Sequence, residues 1–293
     1  MLYLVDEYIS QLSRVRSEKS LEFKRNALRS LDEIKDLSTD EVFRLYEVLR
    51  ERTSHSTAMA YLSEIKRFYE WLREKGINVQ FSEKALKEIG RKKELKGFVR
   101  KYFTEEEVRA ILLYIRTRPF HPIYYIFCIF LLSSGLRLQE ALSLDKKDVQ
   151  VRKIITKTGE TKDVYFVKVK GKFGKEREAL LYFFEPTHEE VFEKYFKQLA
   201  NDDKLFTYQV QYPKSVKTLT LKKDAVFKVF TQIEKALGFP VHAHRFRYTF
   251  ATWLATKGVP PNLLKELLGH SSIKTTMEIY AQAQKEKLLE TLF

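Results

Sequence analysis

Through roughly the first eighty residues, apolar side chains recur every three or four positions. In STDEVFRLYEVLRER, Val42, Leu45, Val48 and Leu49 fall on one helical stripe. Ser38 opens that stretch and Glu41 follows three residues later, the reciprocal pairing that closes a helix N-terminus. In TAMAYLSEIKRFYEWLREKG, Leu62, Ile65, Phe68, Tyr69 and Leu72 form a second stripe that stops at Gly76. Weaker versions of the same period run through 4–15 and 21–34. A compact bundle of about four helices is the simplest way to bury these stripes.

A second series starts at Thr104, paired with Glu107 as another capping box and followed by Val108, Ile111, Leu112 and Ile115. The segment 122–135 is apolar all round, which predicts a helix buried on every side. The period then changes. KDVYFVKVKGKFGKEREALLYFFEP alternates, is rich in β-branched and aromatic residues, and has Gly171 and Gly174 between its halves, so it reads as a hairpin. Helical patterns resume at about His188, over 222–237, and from His244 to the end. The expected fold is mainly α with a small β-sheet: an N-terminal helical bundle, then an α+β domain. Neither repeats nor low-complexity tracts interrupt it.

Charge adds a partner. The chain has 293 residues and is 44% hydrophobic, enough for two domains with proper cores. Its 53 Lys and Arg against 39 Asp and Glu leave a net charge of +14, which suits a polyanion, nucleic acid first of all. The excess concentrates in KALKEIGRKKELKGFVRK, with eight basic residues and two Glu. We therefore expect a bundle over 1–83, a basic linker over 84–102 and a second domain over 103–293. Arg91, Lys92, Lys93, Lys96, Arg100 and Lys101 are the candidate DNA contacts of the linker; a solvated helix face is the bland alternative. Cys128 is the single cysteine, which excludes an intrachain disulfide and a cysteine zinc site. The longest apolar run, 123–132, is far short of the roughly 20 residues of a membrane span. The N-terminus lacks a basic, then apolar, signal pattern, so a cytoplasmic location is expected.

Three stretches carry candidate chemistry. SSGLRLQEALSL puts Arg137 just past Gly135, with Glu140 one helical turn on. HRFRYTFATWLATKG spaces His244 and Arg247 by three, so both can leave one helix face. LLGHSSIKTTMEIY holds His270, with Tyr280 ten residues later. An arginine fork matches two phosphate oxygens at once. A tyrosine hydroxyl is a weak nucleophile until cations surround the phosphorus and a base takes its proton. Together the set suits covalent catalysis on a phosphodiester. Singly, each residue has an ordinary explanation as surface charge, cap or core side chain.

The joint pattern resembles the tyrosine recombinase (phage integrase) family. SSGLRLQEALSL is similar to its first arginine box, HRFRYTFATWLATKG to its His-x-x-Arg box, and LLGHSSIKTTMEIY to the box with the second histidine and the nucleophile. VKVKGKFGKEREALL resembles the family's lysine turn, with Lys172 the best match and Lys170 and Lys175 as alternatives. His242 and Arg245 also stand three apart; anchoring on TFAT favours His244 and Arg247. Departures include Tyr248 where histidine is frequent, Phe246 where leucine is, and Phe173 where glycine is usual. The His270-to-Tyr280 interval is one residue longer than the commonest. The detailed likeness runs from about Thr104 to the end, and the bundle is consistent with a SAM-like core-binding domain.

The resemblance implies a site-specific recombinase acting on double-stranded DNA, assembling as a tetramer, without metal or other cofactor. Tyr280 would form a 3′-phosphotyrosyl link and release a 5′-hydroxyl. Arg137 and Arg247 would hold the non-bridging oxygens, Lys172 would protonate the leaving oxygen, His244 would move the phenolic proton, and His270 would bond the phosphate. Glu140 would support Arg137 or be a plain surface carboxylate. Leu288, Leu289, Leu292 and Phe293 lie at helical spacing and imply docking, in cis or on a neighbouring subunit. A nicking-resealing enzyme of the type IB topoisomerase kind, or a catalytically silent DNA-binding protein, are the alternatives.

Overall fold

The computed structural model describes residues 1–91, 101–156, 158–170, 176–213, 215–270 and 272–292, with side chains in the last stretch only as far as 285. The chain divides into two compact units, Met1–Val99 and Arg100–Phe293.

The first unit is helical: α1 (Leu2–Ser13), α2 (Glu18–Leu28), α3 (Thr39–Arg52), α4 (His55–Glu74) and α5 (Glu83–Arg91). Ser38 and Glu41 form the expected capping box, with Ser38 N donating to Glu41 Oε2 at 3.0 Å and Glu41 N to Ser38 Oγ at 3.4 Å. Leu62, Ile65, Phe68, Tyr69 and Leu72 of α4 are fully buried and form the spine of the core. The α3 stripe is narrower than expected. Val42, Tyr46 and Leu49 face inward, whereas Val48 is 49% exposed. The linker expected from 84 starts instead as α5, because Ala85 and Ile89 are buried in this core. Inside the bundle Glu64 accepts from Tyr8 Oη at 2.8 Å and pairs with Lys24 and Arg67. A buried carboxylate is thereby partnered on three sides.

The second unit surrounds one apolar helix. α6 (Glu105–Thr117) starts at the Thr104–Glu107 capping box, with distances of 3.0 and 3.1 Å. α7 (Ile123–Ser134) is apolar on every face and packs against α6, α9 (Pro186–Gln198) and α11 (Ala243–Thr256). α8 (Leu138–Ser143) follows, then a single 3-10 turn at Lys146–Asp148. An antiparallel sheet, β1 (Val149–Ile155), β2 (Thr161–Lys170) and β3 (Glu176–Leu180), pairs Val149 with Val167 and Val167 with Ala179. A separate hairpin, β4 (Thr207–Tyr212) and β5 (Ser215–Thr220), precedes α10 (Lys223–Leu237). The chain closes with α12 (Pro261–Leu268) and α13 (Ile273–Leu292) against α11.

β2 and β3 sit where alternation predicts them. β1, β4 and β5 carry no such signal because they bury almost nothing: β1 is buried only at Val149, and β5 is exposed throughout. Without a buried face, nothing selects for alternation. Among the described residues no helix is long and apolar enough to cross a membrane. Leu288, Leu289 and Leu292 lie in α13 beyond the described side chains, and Phe293 lies outside the described residues.

Gly135 ends α7 in the left-handed conformation, with φ +58°. A Cβ there would stand 2.4 Å from Phe250 Cδ1 and 2.9 Å from Leu268 Cδ2. Left-handed backbone costs about 1–2 kcal/mol for an L-residue, and core overpacking about 1–3 kcal/mol. Gly135→Ala is therefore expected to lower the unfolding free energy of the chain by about 2–5 kcal/mol in denaturant titrations.

Candidate active site

His244 and Arg247 leave α11 together. Arg247 is 5% exposed, donating through Nη1 to the Gly135 carbonyl oxygen and through Nη2 to that of Leu268, both at 2.7 Å. Gly135 caps α7 and Leu268 is the last residue of α12. The guanidinium thus lies where two helix C-termini, each with partial negative charge, converge. Burial first, and Arg137 second, push its pKa down to about 9, so it remains charged at neutral pH.

Arg245 turns away from this place. It donates to the carbonyl oxygens of Pro240 and Tyr102 at 2.7 and 2.8 Å and to Glu107 Oε2 at 3.0 Å, with its guanidinium 4.2 Å from the Phe103 ring centroid. Two residues along a helix turn the side chain by about 200°, so Arg245 and Arg247 must serve opposite sides. Arg245 ties the start of this unit to α11.

Arg137 approaches from the N-terminus of α8. Its side chain is 43% exposed, with Nη1 on Glu140 Oε1 at 2.9 Å and Nη2 on the Gly269 carbonyl oxygen at 3.1 Å. Its backbone N–H donates to Glu140 Oε2 at 2.9 Å. Glu140 is therefore no plain surface carboxylate. It also receives Arg177 of β3 through both terminal nitrogens, at 3.2 and 2.9 Å. Burial alone would raise the Glu140 pKa. The hydrogen bonds from Arg177 and Arg137 outweigh it and hold the carboxyl below its usual range.

His270 follows Gly269, the left-handed cap of α12, and its Nδ1 lies 2.9 Å from Oγ1 of buried Thr276. Burial, then Arg247, Arg137 and Arg177, drive its pKa down to about 4. Burial, Arg247 and Arg137 also lower that of His244. At neutral pH the site thus sets neutral imidazoles among permanent cations. A neutral imidazole can accept a proton or donate its own N–H.

These groups share one cavity of about 210 Å³, lined by Arg137, His244, Arg247, Tyr248, His270, Thr275 and Ile279. A larger cavity of about 640 Å³, lined partly by Leu112, Leu132, Phe184 and Trp253, holds none of them. Tyr280 does not line the small cavity either. Its hydroxyl donates to the Val259 carbonyl oxygen, and the ring packs with the cluster around Phe250. Ile279 stands in the cavity instead. Adjacent helical residues point about 100° apart, so with Ile279 in the cavity the Tyr280 phenol points away from it.

Lys172 and Lys175 lie outside the described residues, as do Lys92, Lys93, Lys96 and Arg100. Lys170 ends β2, exposed and paired in register with Glu176. Arg91 is the last residue of α5. Lys101 stands 5.7 Å over the Tyr248 ring and 3.8 Å from Glu278. Among the described residues no cluster of three His, Cys, Asp or Glu is placed to hold a metal. Sequence reasoning missed Arg177. One signal was available: in an alternating strand Arg177 shares the inward face of Ala179, and an inward arginine needs a carboxylate.

Comparison with known proteins gives a consistent answer. The profile of the phage integrase family matches residues 101–287. A probable integrase/recombinase of Aquifex aeolicus (strain VF5) is 43% identical over 100% of this chain and 99% of its own length. The tyrosine recombinase XerA of Saccharolobus solfataricus is 28% identical over 80% of this chain and 66% of its own. Among solved structures, a lambda integrase (75–356) dimer bound to a COC′ core site superposes with a TM-score of 0.68 at 17% identity, covering 96% of this chain and 95% of that one. That last likeness is one of fold.

His270 gives a pH signature. Between its ordinary value of 6.5 and about 4, the unfolded chain binds a proton that the folded site refuses. Stability should accordingly fall as the pH drops through that window. In an NMR titration of the free protein the His270 ring should remain neutral down to about pH 5; a midpoint above 6 would contradict the burial and cationic surroundings of the ring.

Proposed function

The chain belongs to the phage integrase family, and from that premise we propose that Tyr280 is the nucleophile of a strand-transfer reaction run by Arg137, Arg247, His244 and His270. It is a tyrosine recombinase, a site-specific DNA recombinase. The observation that carries the assignment of residues is the shared cavity, where two guanidinium groups and two neutral imidazoles meet.

In this mechanism the Tyr280 oxygen attacks the scissile phosphorus. The P–O5′ bond breaks as the P–O(Tyr) bond forms, leaving a 3′-phosphotyrosyl link and a free 5′-hydroxyl. His244, neutral at pH 7, accepts the phenolic proton. The leaving oxygen takes a proton from Lys172, the group the family resemblance assigns. Arg137 and Arg247 hold the non-bridging oxygens, and His270 donates its remaining ring N–H when Thr276 satisfies Nδ1. The new link retains the energy of the diester, so another strand's 5′-hydroxyl can reverse the step without ATP. Guanidinium and ammonium groups supply the positive charge that a metal would supply elsewhere. Before attack, the phenol must exchange the Val259 carbonyl for the cavity, a turn of α13 of about 100°.

Double-stranded DNA is the partner that the family and the charge of +14 support. Exchange between two duplexes breaks four strands, and each chain carries one such tyrosine. A tetramer on paired sites is therefore the assembly we propose, in the cytoplasm where DNA is at hand. The basic segment, including Arg91, Lys92, Lys93, Lys96, Arg100 and Lys101, would bind phosphates, and affinity would fall steeply with salt.

On a nicked suicide substrate in EDTA, the wild-type chain is expected to form a covalent band on denaturing gels. Tyr280→Phe should bind the same DNA and form none; a mutant band would move the nucleophile elsewhere. Exchange of labelled strands between two duplexes should accompany cleavage. Resealing confined to one duplex would instead mark a topoisomerase-like enzyme.

A further inference from the structure

Arg177 has no part in the mechanism above, yet its contacts point to one. We propose that Arg177 is a positioning residue for strand cleavage: it neutralises Glu140, so that the charge of Arg137 stays available to the scissile phosphate. The proposal rests on the assignment of Arg137 to that phosphate.

The geometry is a three-member cluster. Glu140, with its side chain 11% exposed, lies between two arginines. It accepts Arg137 Nη1 and N, each at 2.9 Å, and Arg177 Nη1 and Nη2 at 3.2 and 2.9 Å. Both carboxylate oxygens are thus filled by the planar fork of Arg177, the strongest arrangement for this pair. Arg177 is 15% exposed and does not line the cavity, whereas Arg137 is 43% exposed and does. One negative and two positive charges leave a surplus of one, and that surplus sits on the arginine facing the cavity. Without Arg177, Glu140 and Arg137 would form a neutral pair. A phosphate would then meet a guanidinium whose charge was already balanced in a partly dehydrated site.

Two further features fit this role better than simple packing. Gly269 is wedged between the arginines: its carbonyl oxygen accepts from Arg137, and a Cβ on it would stand 2.7 Å from Arg177 Nε. Seating Arg177 therefore also sets the turn that presents His270. Arg177 Nε is itself buried with no hydrogen-bond partner among the described residues. An unpaired buried donor is unfavourable, and an apolar side chain would fill the slot without it. The terminal nitrogens, not the space, account for an arginine here.

The test compares four chains in single-turnover cleavage of the suicide substrate, with DNA affinity and melting temperature measured alongside. Arg177→Gln removes the counter-cation and should slow cleavage by about 10²-fold while affinity changes less than about threefold. Arg177→Lys keeps the charge, loses the fork, and should fall between that variant and wild type. Arg177→Gln/Glu140→Gln restores the cluster's net charge with an amide pair and should cleave at least about tenfold faster than Arg177→Gln. A folded Arg177→Gln within twofold of wild type, or a folded double variant no faster than it, would overturn the proposal. Should Arg177→Gln fail to fold, the double variant decides alone: a folded protein slowed about 10²-fold would overturn the proposal, and one within about tenfold of wild type would support it. A wild-type chain that forms no adduct would overturn the assignment of Arg137 together with this proposal. Variants equal to an active wild type would overturn this proposal only.

Discussion

The site depends on one buried cation held by backbone. Arg247 donates its two described hydrogen bonds to the carbonyls of Gly135 and Leu268, at the ends of α7 and α12, rather than to a carboxylate. A carboxylate would satisfy the guanidinium but cancel its charge. Helix C-termini satisfy it with partial charges and leave a net positive field pointed at the cavity. The same two bonds join the apolar helix at the centre of the unit to the turn that carries His270. Position, charge and local fold are consequently one constraint. Gly135 shows how tight it is, since any side chain there collides with Phe250.

The electrostatics follow from that choice. Arg137, Arg177 and Arg247 face one carboxylate, Glu140; burial first, and the neighbouring guanidinium groups second, keep His244 and His270 neutral. In the proposed mechanism the scissile phosphodiester brings the negative charge that offsets this excess of positive charge. The phenol is the one member held back. Tyr280 rests on the Val259 carbonyl, outside the cavity, and Ile279 stands in its place. The proposed nucleophile thus lies apart from the guanidinium groups in this structure, and the mechanism proposed above requires α13 to rearrange before attack.

Much of this was legible in the residues. Both capping boxes, the all-apolar α7 and the β2–β3 hairpin follow from patterns that only buried faces impose. Anchoring on TFAT separated Arg247 from Arg245, and the structure sends the two to opposite sides of α11. What escaped had no pattern to carry it. β1 and the β4–β5 hairpin bury too little to alternate, and Val48 fits the α3 period yet falls off its buried face. α5 was hidden in a basic segment because two small or branched side chains suffice to dock it. The partner of Arg177 could not be read along the chain because its carboxylate lies 37 positions away, in α8, and only the fold brings it to β3. The resting place of Tyr280 depends on which face of α13 meets the cavity, and spacing along the chain does not carry that.

The central claim is that fixed guanidinium groups neutralise charge on the non-bridging oxygens. Arg137 tests it most cleanly, because it is partly exposed and makes one side-chain hydrogen bond to backbone, at Gly269, where buried Arg247 makes two. The decisive measurement is cleavage by Arg137→Ala of an ordinary scissile phosphate and of a methylphosphonate, in which one non-bridging oxygen is replaced by an uncharged methyl group. The account predicts a loss of about 10²–10³-fold on the phosphate and a much smaller loss, relative to wild type, on the neutral analogue. Equal losses on both substrates would contradict it.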